Sequence, residues 1–88
     1  MSGAMTITVK FFSLIREAVG TEQLILDLSA ELTTVQELKA ILSERGEAWS
    51  EALSHPNLIQ AINQQVVFQE EAIAEGDEIA FFPPMTGG

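Results

Sequence analysis

The chain opens with an alternation of apolar and polar residues over positions 6–12, which is the period of a strand with one buried face. A second alternation covers residues 22–28, with leucine at every other position, and a third covers residues 78–82. Residues 13–20 break the pattern and end in glycine, which is typical of a short helical turn. The pattern therefore predicts two adjacent strands at the start of the chain and another strand near its end.

The middle of the chain changes to helical spacing. Thr34 followed by Glu37 is a capping box, in which the threonine hydroxyl and the glutamate carboxylate satisfy free backbone N–H groups. We therefore expect the main helix to begin after Thr34 and to end at Gly46, because glycine favours a helix C-terminus. The sequence of residues 47–53 predicts a second, shorter helical segment. The apolar positions assigned to the buried face of the main helix are Val35, Leu38, Ile41 and Leu42.

Turn chemistry at residues 55–57 precedes a predicted strand at 58–63, a polar break at 63–65 and a brief strand at 66–68. The order of elements predicts an α+β fold with one main helix packed across a mixed sheet, and the β-grasp (ubiquitin-like) roll has this arrangement. A split βαβ fold is the alternative. It requires a second crossover helix, and the sequence after Asn57 has no convincing helical period.

Length and charge narrow the possible functions. With 88 residues, 13 acidic and four basic, the chain forms one small domain with a net charge of −9, which repels nucleic acid and anionic membranes and favours a basic partner. No apolar run approaches the roughly 18 residues of a membrane span, so we expect a cytoplasmic protein. Residues 1–4 are interpreted as an expression remnant before a natural start at Met5, residues 5–84 as the domain and residues 85–88 as an extended tail.

Most side chains with reactive groups are assigned structural roles. His55 precedes a proline in a turn, and we expect a surface residue there in preference to a catalytic base. The acidic residues between positions 70 and 78 lack the ligand spacing of a calcium loop, so no metal site is expected. Trp49 lies beside apolar residues and is expected in the core. The chain has no cysteine, so any sulfur chemistry must use sulfur that is not a side-chain thiol.

Two phenylalanines lie on the face that the alternation assigns to solvent. Phe12 and Phe82 each follow a phenylalanine assigned to the core face. An exposed apolar patch on a sheet is typical of a partner interface, and we expect these rings to form one. The alternative is that a loop or the N-terminal residues cover one of the rings.

Residues 85–88 carry the most specific signal. Since glycine is roughly 7% of ordinary residues, Gly87-Gly88 at this position arises by chance in about 0.5% of chains. Pro83 and Pro84 end strand pairing because neither has an N–H, so the tail that follows is slender and able to enter a narrow pocket. A terminal carboxylate is a poor acyl donor until ATP converts it to an acyl-adenylate, which sulfur or nitrogen nucleophiles then attack. A frayed end or a cloning remnant is the alternative interpretation.

The block from Gly76 to Gly88 resembles the C-terminus of the ubiquitin-like sulfur carriers of the MoaD/ThiS family, in particular the small subunit of molybdopterin synthase. Residues 9–12, Arg16-Glu17 and residues 61–64 are also similar to that family. Met85 stands where the family often has valine. The resemblance covers nearly the whole chain after Met5, and its last thirteen residues are the specific part.

The resemblance implies a β-grasp fold whose Gly88, with Gly87 beside it, is adenylated by an E1-like activating enzyme that uses ATP. A sulfur donor enzyme then converts Gly88 to a thiocarboxylate. Within a heterotetrameric complex with the large synthase subunit, that sulfur passes to cyclic pyranopterin monophosphate during molybdenum cofactor biosynthesis. The chain would then be a sulfur-donating subunit that holds no cofactor and is not catalytic alone. By the same resemblance, the tail residues Met85 and Thr86 enter the large subunit, and Phe12, Phe82 and Val66 form the docking patch.

Two other functions stay open on the sequence alone. A related carrier could serve thiamine thiazole synthesis or protein modification, with the same tail meeting another acceptor. A β-grasp binding module without covalent chemistry is the third possibility. Carriers for thiazole synthesis are usually shorter and lack the Phe-Phe-Pro-Pro segment found here at residues 81–84, which favours the molybdopterin synthase subunit.

Overall fold

The computed structural model describes residues 4–29, 34–68 and 70–84 of the chain. Each predicted strand and helix is present, and β1 begins two residues before the predicted position 6. In chain order, the elements are β1 (Ala4–Phe11), α1 (Ser13–Val19), β2 (Gln23–Ser29), α2 (Val35–Ser43), α3 (Glu47–Leu53), β3 (Ile59–Ile62), β4 (Gln65–Val67) and β5 (Glu78–Phe82).

The strands form one mixed sheet in the order β2-β1-β5-β3-β4. The first and last strands of the chain lie side by side and parallel, with Phe11 opposite Phe81, while the other neighbours are antiparallel. Parallel neighbours need a crossover connection, and here the helices lie within the connection between β1 and β5. This strand order places β5 at the centre of the sheet, between β1 and β3.

The core lies between one face of the sheet and the helices. Alternate residues of β1 point into it, and Phe11 and Phe81 stack there with their ring centroids 6.1 Å apart. The leucines of β2 are partly buried at its edge, as the alternation predicts. The buried members of the core are Met5, Ile7, Val9, Phe11, Ile15, Val35, Leu38, Leu42, Leu53, Ile73, Ile79 and Phe81.

The capping box predicted before the main helix is present. Glu37 donates its backbone N–H to the Thr34 hydroxyl at 3.2 Å, and Thr34 donates its N–H to the Glu37 carboxylate at 3.1 Å. The predicted end at Gly46 is wrong: α2 ends at Ser43, because the N–H groups of Glu44 and Arg45 already satisfy the last carbonyls of that helix. Gly46 instead precedes α3, and its carbonyl accepts the N–H of Ser50 at 3.0 Å.

One side chain assigned to the buried face of α2 lies elsewhere. Ile41 is 42% exposed, whereas Val35, Leu38 and Leu42 are fully buried. The buried stripe of α2 is therefore narrower than its apolar sequence suggests.

Positive backbone φ angles mark two turns, the first of them at the predicted polar break. Asn63 and Gln64 have φ angles of 52° and 72°, as a two-residue hairpin turn between β3 and β4 requires. Gly76, with φ at 82°, turns the chain into β5. The Asn63 side chain joins these turns, since its amide donates to Asp77 at 2.9 Å and its oxygen accepts the N–H of Glu78 at 3.0 Å. The hairpin is thereby held against the start of β5.

The architecture confirms the predicted α+β fold, a β-grasp roll with helices across one face of a mixed sheet. The split βαβ alternative is wrong, because the described residues between β3 and β5 contain no helix. Within the same described part of the chain, none of the helices is both long enough and apolar enough to cross a membrane.

Candidate functional site

The two phenylalanines predicted to face outward lie against each other. Their rings are stacked, with centroids 4.6 Å apart and planes within 5° of parallel. Phe12 follows the end of β1 with an extended backbone, and its N–H donates to the carbonyl of Phe81 at 3.1 Å. This hydrogen bond prolongs the pairing of β1 with β5, so Phe12 and Phe82 leave the sheet on the same side.

Val66 joins the same surface through a row of paired residues across four strands. It pairs with Ala61 on β3, Ala61 pairs with Ala80 on β5, and Ala80 pairs with Lys10 on β1. Both alanines are nearly buried although they face outward, because their larger neighbours surround them, whereas Val66 is 49% exposed. Small residues in the middle of the row leave a depression between Val66 and the rings.

This depression is a hollow of about 290 Å³, which we call the sheet-face patch. Lys10 and Glu78 form an ion pair on its rim, with the ammonium nitrogen 3.6 Å from the carboxylate. Apolar walls with a paired rim form a surface suited to an apolar side chain of another protein. The residues that line the patch are Lys10, Phe12, Ala61, Gln64, Val66, Glu78, Ala80 and Phe82.

The structure brings together all three residues expected in the docking patch and adds members that the sequence analysis did not name. The turn between β3 and β4 places Gln64 at the patch, and the pairing of Ala61 with Val66 places Ala61 there. Strand alternation already placed Lys10 and Ala80 on this face. Neither residue indicates an interface in the sequence, because a lysine and an alanine are common on the outer face of a strand.

The patch lies directly before the tail. Phe82 is the last residue of β5, and the half-buried Pro83 and Pro84 follow it. The tail residues expected to carry the chemistry or to enter the partner, Met85, Thr86, Gly87 and Gly88, lie outside the described residues.

The residues assigned structural roles take those roles. The exposed His55 lies in the predicted turn, where its Nδ1 atom accepts the N–H of Asn57 at 3.0 Å. Half-buried Trp49 packs edge-on against Phe11, with centroids 5.4 Å apart, and the Arg45 guanidinium lies 4.9 Å from the Trp49 ring centroid. Both aromatic contacts belong to the edge of the core and not to a ligand site.

Two carboxylates of the acidic segment at residues 70–78 accept hydrogen bonds from backbone N–H groups. Glu75 accepts the N–H of Thr6 at 2.8 Å, and Asp77 accepts the N–H of Ala74 at 2.9 Å. Over residues 4–29, 34–68 and 70–84, no three histidine, aspartate or glutamate side chains converge as metal ligands would.

Comparison with known proteins identifies the family of the chain. The model of the ThiS family matches residues 9–88. The molybdopterin synthase sulfur carrier subunit of Escherichia coli K12 is 39% identical over 82 residues, which cover 93% of this chain and 99% of that protein.

Two solved structures are similar over nearly their whole length. SAMP1 from Haloferax volcanii superposes with a TM-score of 0.76 at 25% identity, covering 94% of this chain and 99% of that one. The complex of subunits 1 and 2 of the molybdopterin-converting factor from Helicobacter pylori 26695 contains a chain with a TM-score of 0.66 at 26% identity, covering 96% of this chain and all of that one. Together with the full-length match at 39% identity, the family model shows that the chain belongs to the ThiS family.

Proposed function

We propose that this chain is the sulfur carrier subunit of a molybdopterin synthase and acts in molybdenum cofactor biosynthesis. The observation that carries the proposal is the position of the sheet-face patch immediately before the Pro83-Pro84 segment, from which the Gly-Gly tail continues. This arrangement suits a protein that docks through its sheet and delivers its tail into the partner. The relative at 39% identity bears the name of that subunit.

The proposed chemistry takes place at Gly88. A carboxylate oxygen of Gly88 attacks the α-phosphorus of ATP on an E1-like enzyme, and pyrophosphate leaves. Hydrosulfide, supplied by a donor enzyme, then attacks the acyl carbon, and AMP leaves with the former carboxylate oxygen. The product is a thiocarboxylate with one sulfur in place of one oxygen. Because the chain has no cysteine, no thiol of its own competes for the activated acyl group.

The proposed acceptor is cyclic pyranopterin monophosphate, bound in a complex with the large synthase subunit. The Phe12 and Phe82 rings and Val66 would contact that subunit, and residues 85–88 would extend into its active site, Met85 and Thr86 included. The solved Helicobacter pylori complex, which joins subunits 1 and 2 of a molybdopterin-converting factor, supports such a pairing. We further propose a heterotetramer in the cytoplasm, with no cofactor resident in this chain.

Intact-mass spectrometry tests the proposal. The chain is incubated with the activating enzyme, ATP and sulfide, and we expect a species ~16 Da heavier, because sulfur replaces oxygen. Omission of ATP is the control and should leave the mass unchanged. Absence of the heavier species in the complete reaction would exclude every sulfur carrier role.

A protein modifier is the second candidate, favoured by the similarity to SAMP1, a small archaeal modifier protein. In that case the activated Gly88 would acylate a lysine amine of another protein. Digestion of a lysate after the same activation reaction separates the two functions. Peptides that carry the tail on lysine support the modifier, whereas sulfur transfer to the pterin without such peptides supports the synthase subunit.

A further inference from the structure

A second apolar depression lies on the opposite side of the Pro83-Pro84 segment from the sheet-face patch. It is a groove of about 450 Å³ between α1, α3 and the end of β5, which we call the helix-side groove. The residues that line it are Leu14, Ile15, Ala18, Ala48, Glu51, Ala52, His55, Pro83 and Pro84.

Alanines on both helices create the groove. Ala18 lies one turn after Leu14 on α1, and Ala52 lies one turn after Ala48 on α3, so each helix turns a small side chain toward the space between them. Leu14 stands at its edge and is 67% exposed, although the next residue, Ile15, is buried. A large aliphatic side chain beside an open apolar groove is typical of a contact with another protein.

The groove and the patch flank the origin of the tail. Phe12 and Phe82 line the patch, while Leu14 and Pro83, two residues and one residue further along the chain, line the groove. A partner that encloses residues 85–88 must approach Pro84 closely, because that residue immediately precedes the tail. Such a partner then lies within reach of both depressions, and the groove continues the interface assigned to the patch under the proposed function.

Charge defines what the groove can accept. Among the residues that the structure describes, Glu51 is the one acidic side chain that lines it, and neither lysine nor arginine does. Glu17 on α1 and Glu47 on α3 are exposed on the same two helices, and the chain as a whole carries a net charge of −9. An apolar side chain flanked by lysine or arginine is complementary to this surface.

We propose that the helix-side groove is a second docking site for the large synthase subunit and receives an apolar side chain that basic residues flank. This inference rests on the proposed function. The large subunit thereby holds the base of the tail from both sides, with the patch on one side and the groove on the other. Because the large subunit contacts both sides of Pro83 and Pro84, these residues direct the tail to the reacting pterin as well as to the partner's surface.

Leu14→Glu tests the proposal, with Ile25→Glu as its matched control. Ile25 on β2 is 66% exposed, lines neither depression and receives the same added negative charge. By isothermal titration with the large subunit, we expect Leu14→Glu to raise Kd roughly tenfold or more and Ile25→Glu to change it less than about twofold. Equal effects of the two variants would overturn the proposal, because the added charge itself, and not its place at the groove, would then account for both.

A second pair of variants keeps the test independent of any folding defect at Leu14. Ala48→Gln fills the groove from an exposed helix position, and Ala40→Gln makes the same change on α2, outside the groove. We expect only Ala48→Gln to weaken binding, with both variants melting close to the wild-type temperature. Unchanged affinity of Ala48→Gln would contradict the proposal.

Other occupants give different results. If a second copy of this chain fills the groove, Leu14→Glu will alter self-association in sedimentation and leave the affinity for the large subunit unchanged. If the chain's own tail fills it, the same variant will retain or increase that affinity. Either outcome overturns the proposal and leaves the proposed function intact, whereas a wild-type chain that the large subunit does not bind overturns both.

Discussion

Phe12 lies between β1 and α1, and its extended backbone (φ −121°, ψ 148°) places its ring on the face opposite Phe11. Strand alternation predicts that face, because side chains change sides at every residue. Alternation does not predict that the ring stacks on Phe82, since the stacking depends on the parallel register of two strands some 70 residues apart in the chain. The chemical character of the patch was therefore predictable, whereas its shape was not.

Removal of one ring tests the sheet-face patch. We expect Phe82→Ala to weaken binding of the large subunit by ~1–3 kcal/mol, because a buried aromatic anchor contributes about that much to an interface. Isothermal titration measures the change. Phe68→Ala is the control, since Phe68 is 91% exposed and lies outside the patch, and it should bind like the wild type. Equal affinity of Phe82→Ala and Phe68→Ala would show that the patch is not the interface.

Lys39 on α2 predicts a pH dependence of stability. Burial lowers the pKa of its amine below the ordinary value of 10.5, because desolvation disfavours the charged form. Between the lowered pKa and 10.5, the unfolded chain binds more protons than the folded chain, so this group makes the free energy of unfolding rise with pH. Below that window, the partly desolvated charge of this half-buried amine destabilises the fold.

Lys39→Met removes this titration. We expect the variant to be more stable than the wild type at neutral pH, and the difference to shrink as pH rises toward 10.5. Urea unfolding of both proteins across that range provides the measurement. A difference that stays constant with pH would mean that the amine has the same pKa in the folded and unfolded chains.

At the scale of elements, the local signals were sufficient for the order and approximate positions of the helices and strands, but not for every boundary. The capping box at Thr34 acts over a few residues, and the structure contains it as predicted. The end of α2 was assigned incorrectly because Gly46 suits either a helix C-terminus or the residue before a new helix. Only the packing of α3 against α2 distinguishes these alternatives.

The capping box predicts the cost of losing the Thr34 hydroxyl. We expect Thr34→Ala to lower the free energy of unfolding by about 1 kcal/mol, because the N–H of Glu37 loses its acceptor. For a domain of this size, such a loss corresponds to a Tm lower by roughly 4–8 °C in a thermal melt. Gln36→Ala, an exposed change in the same turn, is the control and should alter Tm little. A Tm for Thr34→Ala equal to that of the control would contradict the assigned cap.

At the scale of the whole molecule, the helix-side groove had no signal in the sequence. Leu14 belongs to a short helix, and Ala48 and Ala52 belong to another helix more than thirty positions away. The groove exists because α1 and α3 pack beside the end of β5. No local sequence pattern predicts that packing. Surfaces built within one sheet were predictable from alternation, while a surface shared by separate elements was not.

At the scale of the whole molecule, the folded domain and the residue that carries the proposed chemistry are also separate parts of the chain. Over the described part of the chain, the buried core residues lie between Met5 and Phe81, so we expect removal of Gly88 to leave the fold unchanged. We expect the Gly88 deletion to melt like the wild type and to retain most of its affinity for the large subunit, because the docking surfaces remain. It should nevertheless form no molybdopterin, since the shortened tail leaves its terminal carboxylate one residue short of the reacting pterin.

The measurement is molybdopterin formation in a reaction reconstituted from the activating enzyme, ATP, sulfide, the large subunit and the pterin. Met85→Val, which keeps the length of the tail, is the control and should retain activity. Sulfur transfer at the wild-type rate by the deletion variant would mean that the position of the terminal carboxylate does not matter, and the proposed role of Gly88 would then be wrong. Loss of activity together with loss of binding would instead show that the tail contributes to docking, because the patch and the groove are both intact in that variant.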